Sequence, residues 1–151
     1  QGSISGQGAA CFLVGRDAGG AMDELKSFST IYKPSGIAEV ENRVHRFLEE
    51  ASINMKDIDL VINGQNGDAS HDEMDGLLSS GIFQNKPGFP FKTLSGEYPT
   101  ASGFTLWLGA PLLRAQRIPD WFSPLRLPLK NILIHNHFQH THHSLFLISA
   151  C

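Results

Sequence analysis

Apolar positions along the 151-residue chain change period from segment to segment, and each change predicts an element. Ala9 to Val14 is an unbroken apolar run between Gly8 and Gly15, the pattern of a buried strand. Ser27 to Tyr32 alternates polar and large residues, as a half-exposed strand does, and Pro34-Ser35-Gly36 stops it. From Ile37 the apolar residues fall at Val40, Val44, Phe47, Leu48 and Ala51, a helical stripe with Glu39, Arg43, Arg46 and Glu50 outside it. Asp57 to Ile62 reads as a short strand that ends in the loop Asn63-Gly64-Gln65-Asn66-Gly67-Asp68. Ser70 and Glu73 have the spacing of a capping box, with Met74, Leu77, Leu78 and Ile82 behind them at helical spacing.

Pro87 to Pro90 reads as a loop. Pro99 suits the first turn of a helix that carries Ala101, Phe104, Trp107, Leu108 and Leu112, apolar nearly all round and therefore buried. Pro111 is expected to kink or end it. Pro119 to Pro128 is an irregular connector, and two strand-like runs, Asn131 to His135 and Leu145 to Ile148, close the chain as a hairpin. Strands alternating with helices make the class α/β, and nothing divides residues 1–151 into two domains.

Composition narrows the function classes. Twelve basic against fifteen acidic residues give a formal charge of −3, which argues against nucleic acid as the main partner. No apolar run approaches the roughly 20 residues that span a bilayer, so no membrane role is expected. Two cysteines make no disulfide framework, and the expectation is a soluble, cytoplasmic domain. The start on Gln1 without a Met is what a fragment or processed piece would show.

Familiar catalytic signatures are missing. There is no Gly-x-Ser-x-Gly elbow, and Gly15-Arg16-Asp17-Ala18-Gly19-Gly20 lacks the Lys-Ser/Thr of a phosphate loop. Cys11, inside an apolar run, reads as core rather than nucleophile, and Cys151 is terminal. Asp68, Asp72, Glu73 and Asp75 cluster at a helix N-terminus, where the helix dipole accounts for them. Five of the seven histidines lie between His135 and His143, and His135 and His137 would share a strand face. Without a distant ligand at defined spacing the cluster reads as a polar, partly exposed turn, and no metal site is assigned.

The order of these segments resembles the C-terminal half of β-ketoacyl synthases of the thiolase-like superfamily. In that family a strand ends in His-Gly-Thr-Gly-Thr before an Asp-x-x-Glu helix start; here Asn63-Gly64-Gln65-Asn66-Gly67 precedes Asp72-x-x-Asp75, one residue out of register. The family's Lys-Ser-x-x-Gly-His-x-x-x-Ala-x-Gly looks like Lys92-Thr93-Leu94-Ser95-Gly96-Glu97 followed by Ala101-Ser102-Gly103. Its closing Asn-Ser-Phe-Gly-Phe-Gly-Gly-Thr-Asn-x-Ser is similar to the run from His135 to Ser144, and Gly6-Gln7-Gly8-Ala9-Ala10 to the strand that ends its first half. The resemblance implies the C-terminal portion of an α/β/α sandwich with a mixed sheet, residues 1–33 contributing strands from the end of the N-terminal half.

It also implies a subunit of fatty acid or polyketide biosynthesis that works with an acyl carrier protein or acyl thioester, without cofactor. Asn63 and Glu97 occupy the positions of the family's two histidines, Lys92 that of its lysine, and Phe138 that of the aromatic gating the acyl pocket. The family's nucleophilic cysteine belongs to the N-terminal half. A chain with Asn63 and Glu97 in place of both histidines is expected to be catalytically degenerate, like chain-length factors that pair with an active ketosynthase. Homo-oligomer and hetero-oligomer are both compatible with this. The alternatives are a divergent active synthase using His137 or His140, and a histidine-rich metal-binding module. Asn63, Glu97 and Phe138 are expected to gather at one site.

Overall fold

The computed structural model describes residues 2–17, 19–117, 119 and 127–151. Five strands, β1 (Glu24–Tyr32), β2 (Leu60–Asn63), β3 (Gly88–Pro90), β4 (Asn131–Phe138) and β5 (His142–Ser149), form one sheet in the order β1-β5-β4-β2-β3. β1 runs antiparallel to β5 and β5 to β4, whereas β2 lies parallel to both β4 and β3. The sheet is therefore mixed, with its parallel part reached by helical crossovers.

Helices α1 (Ile37–Glu50) and α2 (Ala69–Ser80) cover one face, α4 (Ala101–Ala115) covers the other, and α3 (Lys92–Ser95) is a single turn after β3. The stripe read from the sequence is the buried stripe of α1: Val40, Val44, Phe47 and Leu48 meet Leu133, Leu145 and Leu147 of the sheet. Each such side chain contributes roughly 1.5–3 kcal/mol by leaving water. The second core joins Leu112 and Leu113 of α4 to Leu60, Ile62, Ile132, Ile134 and Ile148. Gly109 lets α4 approach the sheet closely, because a Cβ there would strike the end of Ile148.

Several expectations need correction. Ala9 to Val14 forms no strand, and Cys11, Phe12, Leu13 and Val14 are exposed rather than core. An apolar run becomes a strand only where a neighbour takes its N–H and C=O groups, and among the described residues none pairs with it. The N-cap of α2 is Asp68, whose carboxylate accepts from the Ser70 N–H and hydroxyl, so the capping box on Ser70 is not the device used. Pro87 to Pro90 is not all loop: Gly88–Pro90 is the edge strand β3, where a proline is tolerated. Pro111 neither ends α4 nor stops it before Ala115. Pro111 and Trp107 are both exposed, so water can serve the Trp107 carbonyl that proline leaves without a donor. The strands of the closing hairpin are longer than expected. The connector from Pro119 to Pro128 lies largely outside the described residues.

Candidate functional site

Asn63 ends β2 and Phe138 ends the parallel strand β4, so both stand at the carboxyl end of the parallel strands, where open α/β sheets place ligands. Past Asn63 the chain turns tightly against β4. A Cβ on Gly64 would lie 2.9 Å from Asn136 Oδ1 and 3.0 Å from the His137 nitrogen, so the turn requires glycine.

The pivot of the loop is Asn66. Its N–H and that of Gly67 donate to the two oxygens of Asp72, at 2.8 and 2.9 Å, and fix the loop to the first turn of α2. Its side-chain amide donates to Glu97 Oε2 at 2.7 Å. The same oxygen receives the Lys92 ammonium at 2.7 Å, and Lys92 Nζ also donates to the His137 carbonyl at 2.6 Å. The Lys92 side chain is wholly buried and that of Glu97 nearly so. A buried ammonium without a counter-charge is very unfavourable, so this pair is a condition of folding rather than a decoration. The opening segment straps the pair from outside: Glu97 N donates to the Ile4 carbonyl and Gly6 N to the Glu97 carbonyl. Gly6 and Gly96 face each other there, a Cβ on Gly96 falling 2.7 Å from the Gly6 backbone.

Lys92 and Glu97 are thus in direct contact, with the Asn63 loop joined to them through Asn66. Asn63 itself turns elsewhere. Its Oδ1 accepts from Gln65 N at 3.3 Å, and the residue lines a cavity of about 260 Å³ with Ser79, Phe83, Gln84 and Gly88. Phe138 lines a different cavity, also of about 260 Å³, with Tyr32, Ser102, Asn136 and His142. The two cavities share no lining residue, and Lys92's bond to His137 links β4, which ends in Phe138, to the pair.

The histidine run is a partly exposed turn only in its middle, around His140. His135, His137 and His143 are fully buried on the α2 face of the sheet, around the equally buried Asp75. His135 Nδ1 lies 2.9 Å from Asp75 Oδ1, His137 Nε2 lies 2.9 Å from Asp75 Oδ2, and His135 Nε2 lies 3.1 Å from His143 Nδ1. Burial alone would raise the Asp75 pKa, but the charge and hydrogen bond of His135, then His137, hold it well below the usual carboxylate range. Burial first, then the charges of His135 and His137, push His143 down to about 4. His140 stacks on His137, and His71 lies beside it at 5.2 Å. Among the described residues no group of three or more potential ligands is arranged to hold a metal ion.

Sequence reasoning missed Asn66 altogether and took Asp72 and Asp75 for dipole complements. The signal was present in their spacing, three apart on one face of α2, opposite histidines that alternate on β4.

A mixed sheet between two helical layers in this strand order is a thiolase-like α/β fold. Solved structures share it. One is a type II polyketide synthase acyl-carrier protein in complex with its ketosynthase bound to the hexaketide (AntDE:AntF), with TM-score 0.69, 14% identity, and 86% of this chain matched to 39% of that one. The ishigamide ketosynthase/chain length factor gives 0.71 at 10% identity over 86% and 38%, and a β-ketoacyl synthase from Burkholderia phymatum STM815 gives 0.61 at 13% over 86% and 38%. The chain spans about two-fifths of the length of these structures, and at such identities the likeness is one of fold. No protein-family model and no curated protein matches the chain. No helix among the described residues is long and apolar enough to cross a membrane.

Proposed function

We propose that the chain is a ketosynthase-like component of fatty acid or polyketide assembly, related to chain-length factors and unable to condense acyl groups by itself. The observation that carries this is the Lys92–Glu97 pair. The resemblance puts Glu97 where a condensing enzyme has a histidine, and its carboxylate is committed to a buried ammonium and to Asn66. A carboxylate there repels the malonyl carboxylate and opposes the enolate that decarboxylation creates. Asn63, in the other histidine position, is an amide and exchanges no proton near neutral pH. Its Oδ1 is engaged by its own loop.

The alternatives have less support. His137 faces Asp75 from a fully buried position, and His140 Nε2 is 2.6 Å from the Ser70 carbonyl, so both are engaged away from Asn63 and Glu97, the positions of the lost histidines. In this proposal the partners are an acyl carrier protein or acyl thioester and an active ketosynthase, in the cytoplasm. Malonyl-carrier protein decarboxylation tests it. The chain alone is expected to give background rates, while its addition to a competent ketosynthase shifts the length of the acyl products. Turnover by the chain alone would overturn the reading.

A further inference from the structure

The strand β4, the strand β5 and helix α2 meet over a line of hydrogen-bonding atoms: Asp75 Oδ1, His135 Nδ1 at 2.9 Å, His135 Nε2 to His143 Nδ1 at 3.1 Å, and His143 Nε2 to the His140 carbonyl at 3.3 Å. Donors and acceptors along it can be counted. A peptide carbonyl only accepts, so the far end needs a hydrogen on His143 Nε2. The contact between the rings and the contact to Asp75 need one hydrogen each. Two neutral imidazoles carry two hydrogens for three contacts. The line is complete only with three, and because Asp75 is held ionised the third sits on the ring pair, leaving no net charge.

We propose that the Asp75–His135–His143 line is a proton-loaded latch: with three hydrogens it closes the β4–β5 hairpin onto α2, and a fourth opens it. A fourth proton brings a buried positive charge with no counter-ion left. Among the described residues the surroundings supply none. From β4, His137 is a third imidazole on the same carboxylate, and the turn adds His140. From α2, Asp68 is occupied by Ser70 and His71, and Asp72 by Asn66 and Gly67. Glu97 is taken by Lys92. α1 presents apolar side chains, Val40, Val44, Phe47 and Leu48, to this core. The low pKa of His143, about 4, agrees with resistance to that proton.

Opening would not stay local. His137, two residues past His135 on β4 and paired with His143 of β5, gives its carbonyl to Lys92. Moving the hairpin withdraws an acceptor from the Lys92–Glu97 pair. The latch stands whether or not the chain is a ketosynthase component; only this last step involves the same residues.

Imidazole nitrogen NMR on the full chain tests the count, with amide exchange protection followed from pH 7.5 to 3.5. At pH 7 the His135 and His143 rings together should show three protonated nitrogens. Near pH 4 the fourth should arrive on His143, and protection of β4 and β5 amides should fall at least tenfold in the same step while α1 keeps its own. Two protonated nitrogens at pH 7, arrival of the fourth without loss of hairpin protection, or an equal loss in α1 would each overturn the latch. In Asp75→Asn the ring pair should drop to two hydrogens, and three in a folded variant would refute the charge balance. If that variant does not fold, the natural chain's spectra decide.

Discussion

The longest unbroken apolar run of the chain, Ala9 to Val14, is largely exposed to solvent, while its most polar-looking run, from His135 to His143, supplies three fully buried side chains. Hydropathy orders these regions backwards. What separates them is the supply of partners. The hairpin has backbone partners on both sides, β1 beyond β5 and β2 beyond β4, and a carboxylate on α2 aimed at its imidazoles. The opening run has neither among the described residues. Burial follows the supply of polar and backbone partners as much as it follows oil-like character.

The contrast breaks most easily at Asp75. Asp75→Ala leaves three imidazoles around a buried hole and should reduce stability by about 3–5 kcal/mol in chemical denaturation; a loss no larger than that of a surface change would undo the contrast. Acid tests the same place without mutation. Unfolded chains protonate His143 near 6.5 and the folded chain resists to about 4, so unfolding free energy should fall as pH drops through that window. The fall should reach up to about 3 kcal/mol and flatten below 4 for this group. Asp75, held below its ordinary 3.8, contributes stability above that pH and loses it only in stronger acid. A thermal melting series against pH reads both.

Gly109 sharpens the contrast on the other face. Gly109→Ala pushes one methyl into the Ile148 side chain and should lower stability by roughly 1–3 kcal/mol, seen as a lowered melting temperature. At the opposite extreme, Leu13→Ser removes an isobutyl group from solvent and should change stability by less than about 0.5 kcal/mol. Cys11 beside it should react with a thiol reagent in the folded protein as fast as a free thiol, and protection there would show that the run is covered.

Legibility in the sequence tracked locality. α1 was readable to within a residue because its stripe repeats through four turns and its burial follows that period. β1 and the final hairpin were readable as elements, although all of the hairpin's histidines but His140 belonged to the strands and not to the turn. β3 could not be read, since three residues framed by prolines carry no period and owe their strand character to β2 alongside. The site was half legible. The family likeness picked out Lys92 and Glu97, which the fold brings into contact, but Asn66 reaches Glu97 across 31 positions, and nothing local announces such a bond. Asp75 was hidden by a sufficient local explanation, the helix dipole, that the tertiary structure superseded.

The register of the sheet sets an order of events in time. β4 and β5 are neighbours in sequence and can zip together as a hairpin within microseconds. β2 must find β4 across 72 positions, Leu60 opposite Ile132, and α2 arrives on the same side of that long closure. The nascent hairpin therefore carries its imidazoles before their carboxylate is present, and is best hydrated and least committed at that stage. Docking of α2 across that long closure is what gives the hairpin its carboxylate, so Asp75 meets its histidines only through a non-local contact.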